Sequence, residues 1–230
     1  KSVFIFAGTA LAILFLIGSL VLFTGGLPQR LPAQVAAFAD GENGTPLVEN
    51  VTAPMIAAGT IPHFGVQHQP ARTDVLLWGD SHAQHFSPAL ATACDALGLS
   101  GQIISFTSTT PLVGWSQHSQ HGLNEQSEKW CNAVVDYVSR TRIRTVIVAA
   151  YWEDAEKYAP EKFTAALERT IHALQTAGAK VYVIMQVPSH QAVVPKVLAY
   201  CYLMHESPAH WESTWPKHLR KHAVMYEIKY

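Results

Sequence analysis

The chain has 230 residues, of which 49% are hydrophobic, and its 16 basic and 17 acidic side chains leave a formal net charge of −1. This length suits one domain of ordinary size with additional segments. The lack of a basic surplus argues against nucleic acid as a partner, because its recognition depends on clustered lysine and arginine.

An uncharged apolar segment occupies residues 3–23. About 20 helical residues, at ~1.5 Å each, span the core of a bilayer, so a transmembrane helix within residues 1–25 is the favoured prediction. A signal peptide would have a shorter apolar region and a cleavage site of small residues, which the following Phe-Thr-Gly-Gly matches poorly. A buried core helix is the other alternative.

The rest of the chain divides into an irregular part and a regular part. Residues 26–72 contain six prolines, so we expect a linker that leads onto the domain, with a short helix at 33–39. Residues 73–230 alternate short apolar runs with amphipathic segments. The predicted strands are 74–78, 102–106, 144–150 and 180–187, and the predicted helices are 83–97, 124–141 and 160–177. This alternation predicts an α/β domain whose parallel sheet has helices on both faces.

The first predicted strand ends at Gly79-Asp80-Ser81-His82. Open α/β sheets bind their ligands at the carboxyl ends of the strands, and the helix that follows directs its N–H groups toward the ligand. Ser81 is therefore placed to attack a carbonyl carbon, with N–H donors nearby for the oxyanion. The alternative is that Ser81 or Asp80 only caps the helix.

The sequence Leu-Trp-Gly-Asp-Ser-His, followed by a helix, resembles the SGNH hydrolase superfamily. More narrowly, it resembles the SGNH domain fused to membrane acyltransferases of family 3, which O-acylate cell-surface glycans, chiefly by acetylation. The resemblance implies a three-layer, flavodoxin-like α/β domain at residues 73–230, with Ser81 as the nucleophile. Its motif neighbours Gly79, Asp80 and His82 are predicted to be structural: the Asp80 carboxylate can accept N–H groups of the turn, and His82 starts the helix.

The same resemblance implies partners and a location. The predicted membrane helix would be the last one of an upstream acyltransferase domain that supplies the acyl group. The SGNH domain would lie on the periplasmic side of the inner membrane, and its acceptor would be a surface polysaccharide or lipopolysaccharide. No cofactor is implied.

Two later blocks of the superfamily are matched less closely. The second block supplies an oxyanion N–H from a glycine, and the corresponding loop here is residues 105–114. The third block, Gly-x-Asn-Asp, is replaced by Ala149-Ala150-Tyr151-Trp152. Tyr151 and Trp152 would line the mouth of the site, where aromatic rings suit stacking on sugars, or else would only pack the strand end.

The family's catalytic Asp-x-x-His is absent from the sequence, whose last aspartate is Asp154. The expectation is that the histidine base and its carboxylate lie beyond Tyr230, and that the chain as given is inactive on its own. The local alternatives as base are His210, His205 and His190, of which His210 is the strongest because it lies four residues after Glu206.

Histidine and cysteine patterns give little support for a metal site. His82 and His85, three residues apart on a predicted helix, share one face, but the upstream Asp-x-His of binuclear metallophosphatases is lacking. The same spacing recurs in a predicted loop at His118 and His121. The cysteines lack the spacing of a zinc site, and a disulfide with one spare thiol and three separate buried thiols are both open. They are Cys94, Cys131 and Cys201.

Three functions follow from these patterns. The leading one is O-acyl transfer to a surface glycan through Ser81. A carbohydrate acetyl-esterase would use the same nucleophile and base with water as acceptor, so the sequence does not separate transfer from hydrolysis. A glycan-binding module without catalysis is the alternative of a different class.

Overall fold

The computed structural model describes residues 2–26, 28–43, 49–66, 72–116, 118–188, 192–211 and 215–222. The chain divides into two compact units. The first unit comprises Lys1–Gly44 and His190–Ser213, and the second comprises Thr45–Ser189 and Thr214–Tyr230. Ser81 therefore belongs to the second unit.

The helices are α1 (Ser2–Phe23), α2 (Ala33–Asn43), α3 (Ala53–Ala58), α4 (Ser81–Leu97), α5 (Ser127–Thr141), α6 (Trp152–Tyr158), α7 (Pro160–Thr176), α8 (Val194–Met204) and α9 (Trp215–Lys221). The strands are β1 (His63–Gly65), β2 (Val75–Gly79), β3 (Ser100–Ser105), β4 (Thr145–Ala149) and β5 (Lys180–Ile184). Short 3₁₀ turns occupy Pro28–Arg30, Asn124–Gln126 and Pro208–Trp211.

The first unit is helical in its described part. Of the described helices, α1 is the one that is long and apolar enough to cross a membrane, and none of its residues is buried. Helix α2 packs against α8, with the rings of Phe38 and Tyr202 edge to face at 6.4 Å between centroids. Val35 of α2 and Cys201 of α8 are buried in this unit.

The second unit contains a sheet with the strand order β1-β3-β2-β4-β5. Strands β2 to β5 pair in parallel, and β1 joins the edge antiparallel to β3. The predicted α/β fold with a parallel sheet is thus confirmed, and β1 makes the sheet mixed. Strand β1 was not predicted, because three residues are too few for a detectable alternation of apolar and polar side chains.

The sheet is covered on both faces. Successive side chains of a strand point to opposite faces. Leu76 and Trp78 of β2 accordingly join the larger core with α5 and α7, while Leu77 joins the smaller core against Ala83 and Cys94 of α4. All five residues of β2 are buried, which explains why this strand is a continuous apolar run in the sequence.

Residues 49–66 belong to this unit, and three of their apolar side chains lie in the larger core. These are Val51, Ile56 and Ile61.

Helix α4 begins at Ser81, two residues before the predicted start, because Asp80 caps it. All three cysteines lie in the described part of the chain and are free, buried thiols. The structure therefore has three separate thiols and not a disulfide with one spare thiol.

Helix α9 is attached to α6 by charged groups. Lys221 Nζ lies 2.8 Å from Glu153 Oε1, and His222 Nδ1 lies 2.8 Å from Glu156 Oε2. Both carboxylates are buried. These pairs join the described end of the chain to the helix that follows β4.

Candidate active site

The turn between β2 and α4 is closely packed. Gly79 lies opposite Ser105 of β3 on one side and Ala149 of β4 on the other. A Cβ atom at position 79 would lie 1.7 Å from the carbonyl oxygen of Ala149 and 2.9 Å from Cβ of Ala83. Only glycine therefore lets the central strand, its neighbour and the helix meet at this point.

Asp80 connects the start of α4 to the end of β4. Its Oδ1 accepts the N–H of His82 at 2.7 Å, and its Oδ2 accepts the N–H of Tyr151 at 2.8 Å. The residue is only 4% exposed. Burial raises the pKa of the Asp80 carboxyl to about 6, and the N–H groups of Tyr151 and His82 oppose that rise.

Ser81 is the first residue of α4 and lines a cavity of about 250 Å³ at the carboxyl ends of β2, β3 and β4. Within the described ranges, its hydroxyl has no hydrogen-bond partner, and no imidazole bonds it. Of the three histidines considered as base, His205 is exposed in the first unit, while His190 and the side chain of His210 lie outside the described residues.

His82 and Tyr151 form one wall of the cavity. Their rings lie 5.2 Å apart between centroids and are tilted by 33°. Burial, and secondarily the nearby His85, lowers the pKa of the His82 imidazole. His82 therefore presents a neutral ring to the cavity at neutral pH.

The loop after β3 also lines the cavity, and Ser108 is its distinctive residue. Ser108 has a φ of +54°, a left-handed conformation unusual for a residue other than glycine. It lines the cavity, and its N–H has no hydrogen-bond partner in the described part of the chain. A Cβ at Gly122 would lie 2.4 Å from the Ser108 carbonyl oxygen, so this close approach requires glycine there.

Two polar residues from outside this loop fix its position. Asn50 Oδ1 accepts the N–H of Thr107 at 2.9 Å and its hydroxyl at 3.0 Å. Gln84 of α4 donates from Nε2 to Ser105 Oγ at 3.1 Å and to the same Asn50 oxygen at 3.4 Å. The start of α4 is thus hydrogen-bonded, through Ser105 and Asn50, to the region of the loop after β3.

The two aromatic residues that follow β4 lie in different environments. Tyr151 lines the cavity, whereas Trp152 is fully buried and packs on Phe163 at 6.1 Å between ring centroids. Gln186 Oε1 accepts the N–H groups of Trp152 and Glu153, at 2.8 and 3.2 Å. Trp152 was expected either to line the mouth of the site or to pack the strand end. The structure has the second arrangement: the indole lies in the core, and its Nε1 donates to the Ile184 carbonyl at 2.8 Å.

Four residues that shape the site were not identified from the sequence: Asn50, Gln84, Ser108 and Gln186. Asn50 lies in an irregular stretch, and Gln186 lies within the predicted strand 180–187, where no pattern marks it as an acceptor. Gln84 lies on a helix whose partners are set by the fold. The run Thr107-Ser108-Thr109-Thr110 was a usable signal for Ser108, since consecutive hydroxyl residues after a buried strand are typical of a polar loop. Among the described residues, no group of three or more His, Cys, Asp or Glu side chains is arranged to hold a metal ion.

A serine in a Gly-Asp-Ser turn between a central parallel strand and its helix defines an α/β domain of the SGNH type. The family model described as "SGNH domain (fused to AT3 domains)" matches residues 54–227, and the chain belongs to that family. Membership supports an enzyme of the acyl-transfer or esterase kind.

The fold is also similar to that of a solved protein. The structure of the lipopolysaccharide acetyltransferase periplasmic domain of Salmonella ser. Paratyphi A aligns with a TM-score of 0.57 and 17% sequence identity. The alignment covers 89% of this chain and 81% of that chain. At this identity the likeness establishes the shared fold. No curated protein sequence matches the chain closely enough to count as a relative.

Proposed function

We propose that this protein is the extracytoplasmic SGNH part of an acyltransferase that O-acetylates, or otherwise O-acylates, a cell-surface polysaccharide or lipopolysaccharide. The observation that carries the proposal is the position of Ser81 at the strand–helix junction, in a cavity where its hydroxyl has no partner in the described part of the chain. Family membership supports the acyl-transfer chemistry.

In the proposed reaction, Ser81 Oγ attacks the acyl carbonyl carbon and its proton passes to a histidine base. The donor's leaving group departs with that proton, which leaves an acyl-Ser81 ester. A glycan hydroxyl then attacks this ester and gives its proton to the base. The acyl group moves to the glycan, and the proton returns to Ser81. We assign no described histidine as the base.

Two backbone N–H groups would stabilise the oxyanion. Ser81 N–H lies at the start of α4, where helical N–H groups lack intrahelical partners. Ser108 lines the cavity from the loop after β3, and its N–H has no partner in the described part of the chain. Removal of one such donor typically costs about 10²–10³-fold in rate. Ser108 takes the part that a glycine has in the superfamily's second block, and its left-handed φ supports this assignment.

Residues 1–25 would lie in the membrane, and the SGNH domain would lie on the periplasmic side of the inner membrane. Because residues 49–66 contribute β1 and part of the larger core, the link would be confined to the residues before them and would not extend over the whole of 26–72. The apolar character of α1 over 22 residues supports the first assignment. An upstream membrane acyltransferase domain would supply the acyl group, as the family description implies.

The decisive test is Ser81→Ala in the complete natural gene, expressed in its own host. The O-acetyl content of the surface glycan, measured by ¹H NMR before and after mild base, should fall to background, because the rate of transfer should drop by about a thousandfold. Ser139→Ala, which removes an exposed hydroxyl from α5, is the matched control and should acetylate normally.

The same experiment separates transfer from hydrolysis. If Ser81 served an acetyl-esterase, Ser81→Ala would raise the O-acetyl content of the glycan rather than lower it. Normal O-acetylation in Ser81→Ala, at equal protein level by immunoblot, would contradict both activities and favour the non-catalytic glycan-binding alternative.

A further inference from the structure

The lining of the cavity at Ser81 is rich in hydroxyl groups. Besides Ser81 and the phenol of Tyr151, five serine and threonine residues line it: Ser108, Thr109, Thr110, Ser119 and Ser127. The hydroxyls of Ser108, Thr110 and Ser119 have no hydrogen-bond partner among the described residues. Hydroxyls both donate and accept, so this wall suits a ligand that carries many hydroxyls of its own.

Asp154 supplies a carboxylate at the same cavity. It lies on α6, one turn after Tyr151, and its side chain is exposed. Within the described ranges it has no hydrogen bond and no ion pair. The neighbouring cation, Lys157, is paired with Glu153. Asp154 is therefore available to accept hydrogen bonds from a ligand through both of its oxygens.

The charge of the cavity is one-sided. Its described lining contains the carboxyl groups of Asp80 and Asp154 and includes no lysine or arginine. Arg169, near the cavity residue Trp115, is bonded to the carbonyl oxygens of Val113 and Gly114. Lys157 interacts electrostatically with Asp154, but it is ion-paired with Glu153 and does not line the cavity. An anionic ligand group near Asp154 would therefore meet like charge with a cation that is already paired, which disfavours its binding.

The dimensions and the remaining wall also select the ligand. A cavity of about 250 Å³ lies below the roughly 300–1,000 Å³ typical of drug-sized ligands, so it suits one small unit rather than several. The paired rings of His82 and Tyr151 offer an aromatic surface to the apolar face of such a unit.

Building on the proposed function, we propose that the acceptor is an uncharged sugar unit and that Asp154 is the specificity-determining residue. In this arrangement the Asp154 carboxylate accepts hydrogen bonds from two adjacent hydroxyls of the sugar. The same carboxylate repels sugars that carry a carboxylate, such as uronic acids. The hydroxyl-lined wall and the aromatic wall hold the ring near Ser81.

The test measures binding of matched neutral and acidic methyl glycosides to the full chain in detergent micelles. The probes are the methyl α-glycosides of glucose, galactose and mannose and the corresponding uronic acids, which differ only by a carboxylate at C6. Affinities are obtained from NMR titration at a pH of about 7.5. We expect at least one neutral glycoside to bind about fivefold or more tightly than its acidic counterpart, the effect of one like charge at close range in water.

Asp154→Asn should weaken the neutral glycoside about tenfold, as expected for hydrogen bonds to a charged acceptor, and should abolish the preference over the uronic acid. Asp154→Glu, which keeps the charge, should retain that preference. Asp95→Asn, which removes an exposed carboxylate from α4 outside the cavity lining, should change neither affinity.

Three results would overturn the inference. They are the absence of binding by every neutral glycoside, equal or tighter binding of the uronic acids to the wild type, and an unchanged preference in Asp154→Asn. The outcome is distinguishable from that of the proposed function. Loss of O-acetylation in Ser81→Ala without a neutral preference overturns only the acceptor assignment, and a neutral preference with normal O-acetylation in Ser81→Ala overturns only the catalytic one.

Discussion

Asp80→Asn tests the electrostatic cost of the turn that carries Ser81. Burial raises the pKa of this carboxyl from 3.8 to about 6, a rise of roughly 2 units. At about 1.36 kcal/mol per unit, this corresponds to about 3 kcal/mol of stability. Because the folded chain keeps its proton between these two values while the unfolded chain has released it, the contribution is fully present below pH 3.8. It is lost as the pH rises through about 6.

The side-chain amide that Asp80→Asn introduces cannot ionise, so the variant lacks this pH dependence. Its oxygen still accepts the N–H of His82, but the N–H of Tyr151 loses its acceptor, which costs about 1–3 kcal/mol. The free energy of unfolding of the wild type should therefore exceed that of Asp80→Asn most at a pH of about 4. The difference should shrink by about 3 kcal/mol by about pH 7.

The assay is urea unfolding of the full chain in detergent micelles, followed by tryptophan fluorescence at half-unit steps from about pH 4 to 7.5. Asp136→Asn, which removes an exposed carboxylate from α5, is the matched control and should stay within about 0.5 kcal/mol of the wild type. A difference between wild type and Asp80→Asn that is flat, or that widens as the pH rises, would refute the assignment of a buried, high-pKa carboxyl. A ¹³C NMR titration of the Asp80 carboxyl measures the same pKa directly.

Two further substitutions test the packing around the site. Gly79→Ala would put Cβ 1.7 Å from the Ala149 carbonyl oxygen and should lower the free energy of unfolding by about 3 kcal/mol or more. Gly98→Ala, at a left-handed position with open space around it, should lower it by only about 1 kcal/mol. Equal losses of stability in urea unfolding would contradict the steric argument. Gln186→Leu leaves two buried N–H groups of α6 without an acceptor and should cost about 2–5 kcal/mol. Gln186→Glu loses the donor to the Val187 carbonyl but keeps an oxygen that accepts both N–H groups, and it should cost less; the reverse order in the same assay would contradict this role.

The elements that could be predicted from the sequence are those whose signals are local. Strand β2 is a buried apolar run that ends at a turn motif, and α7 has Pro160 at its first position. Helix α6 was missed because it has only seven residues and is followed at once by the proline that begins α7. The predicted strand at 180–187 ends at Ile184 instead, because β4, its only neighbour in the described sheet, also ends there in register.

The residues of the site also divide into those with a local sequence signal and those without one. Gly79, Asp80 and Ser81 are adjacent in the chain, so one motif indicates them together. Asn50 acts 57 residues from Thr107, and Gln186 acts 34 residues from Trp152, so neither contact has any local pattern. The inward packing of Trp152 also involves a distant group, because its indole N–H donates to the Ile184 carbonyl, 32 residues further along the chain.

The segment at the end of β4 explains how the site differs from the superfamily's pattern. Where that pattern has Gly-x-Asn-Asp, this chain has Ala149-Ala150-Tyr151-Trp152, and no asparagine side chain is available at that point. The N–H of Tyr151 is occupied by Asp80, so it is not free to donate to a ligand oxyanion. In the proposed mechanism, the oxyanion therefore depends on the N–H groups of Ser81 and Ser108, which are held by different elements. Asn50 and Gln84 hydrogen-bond those elements to each other, so the geometry of the proposed oxyanion site rests on two residues that take no part in the chemistry themselves.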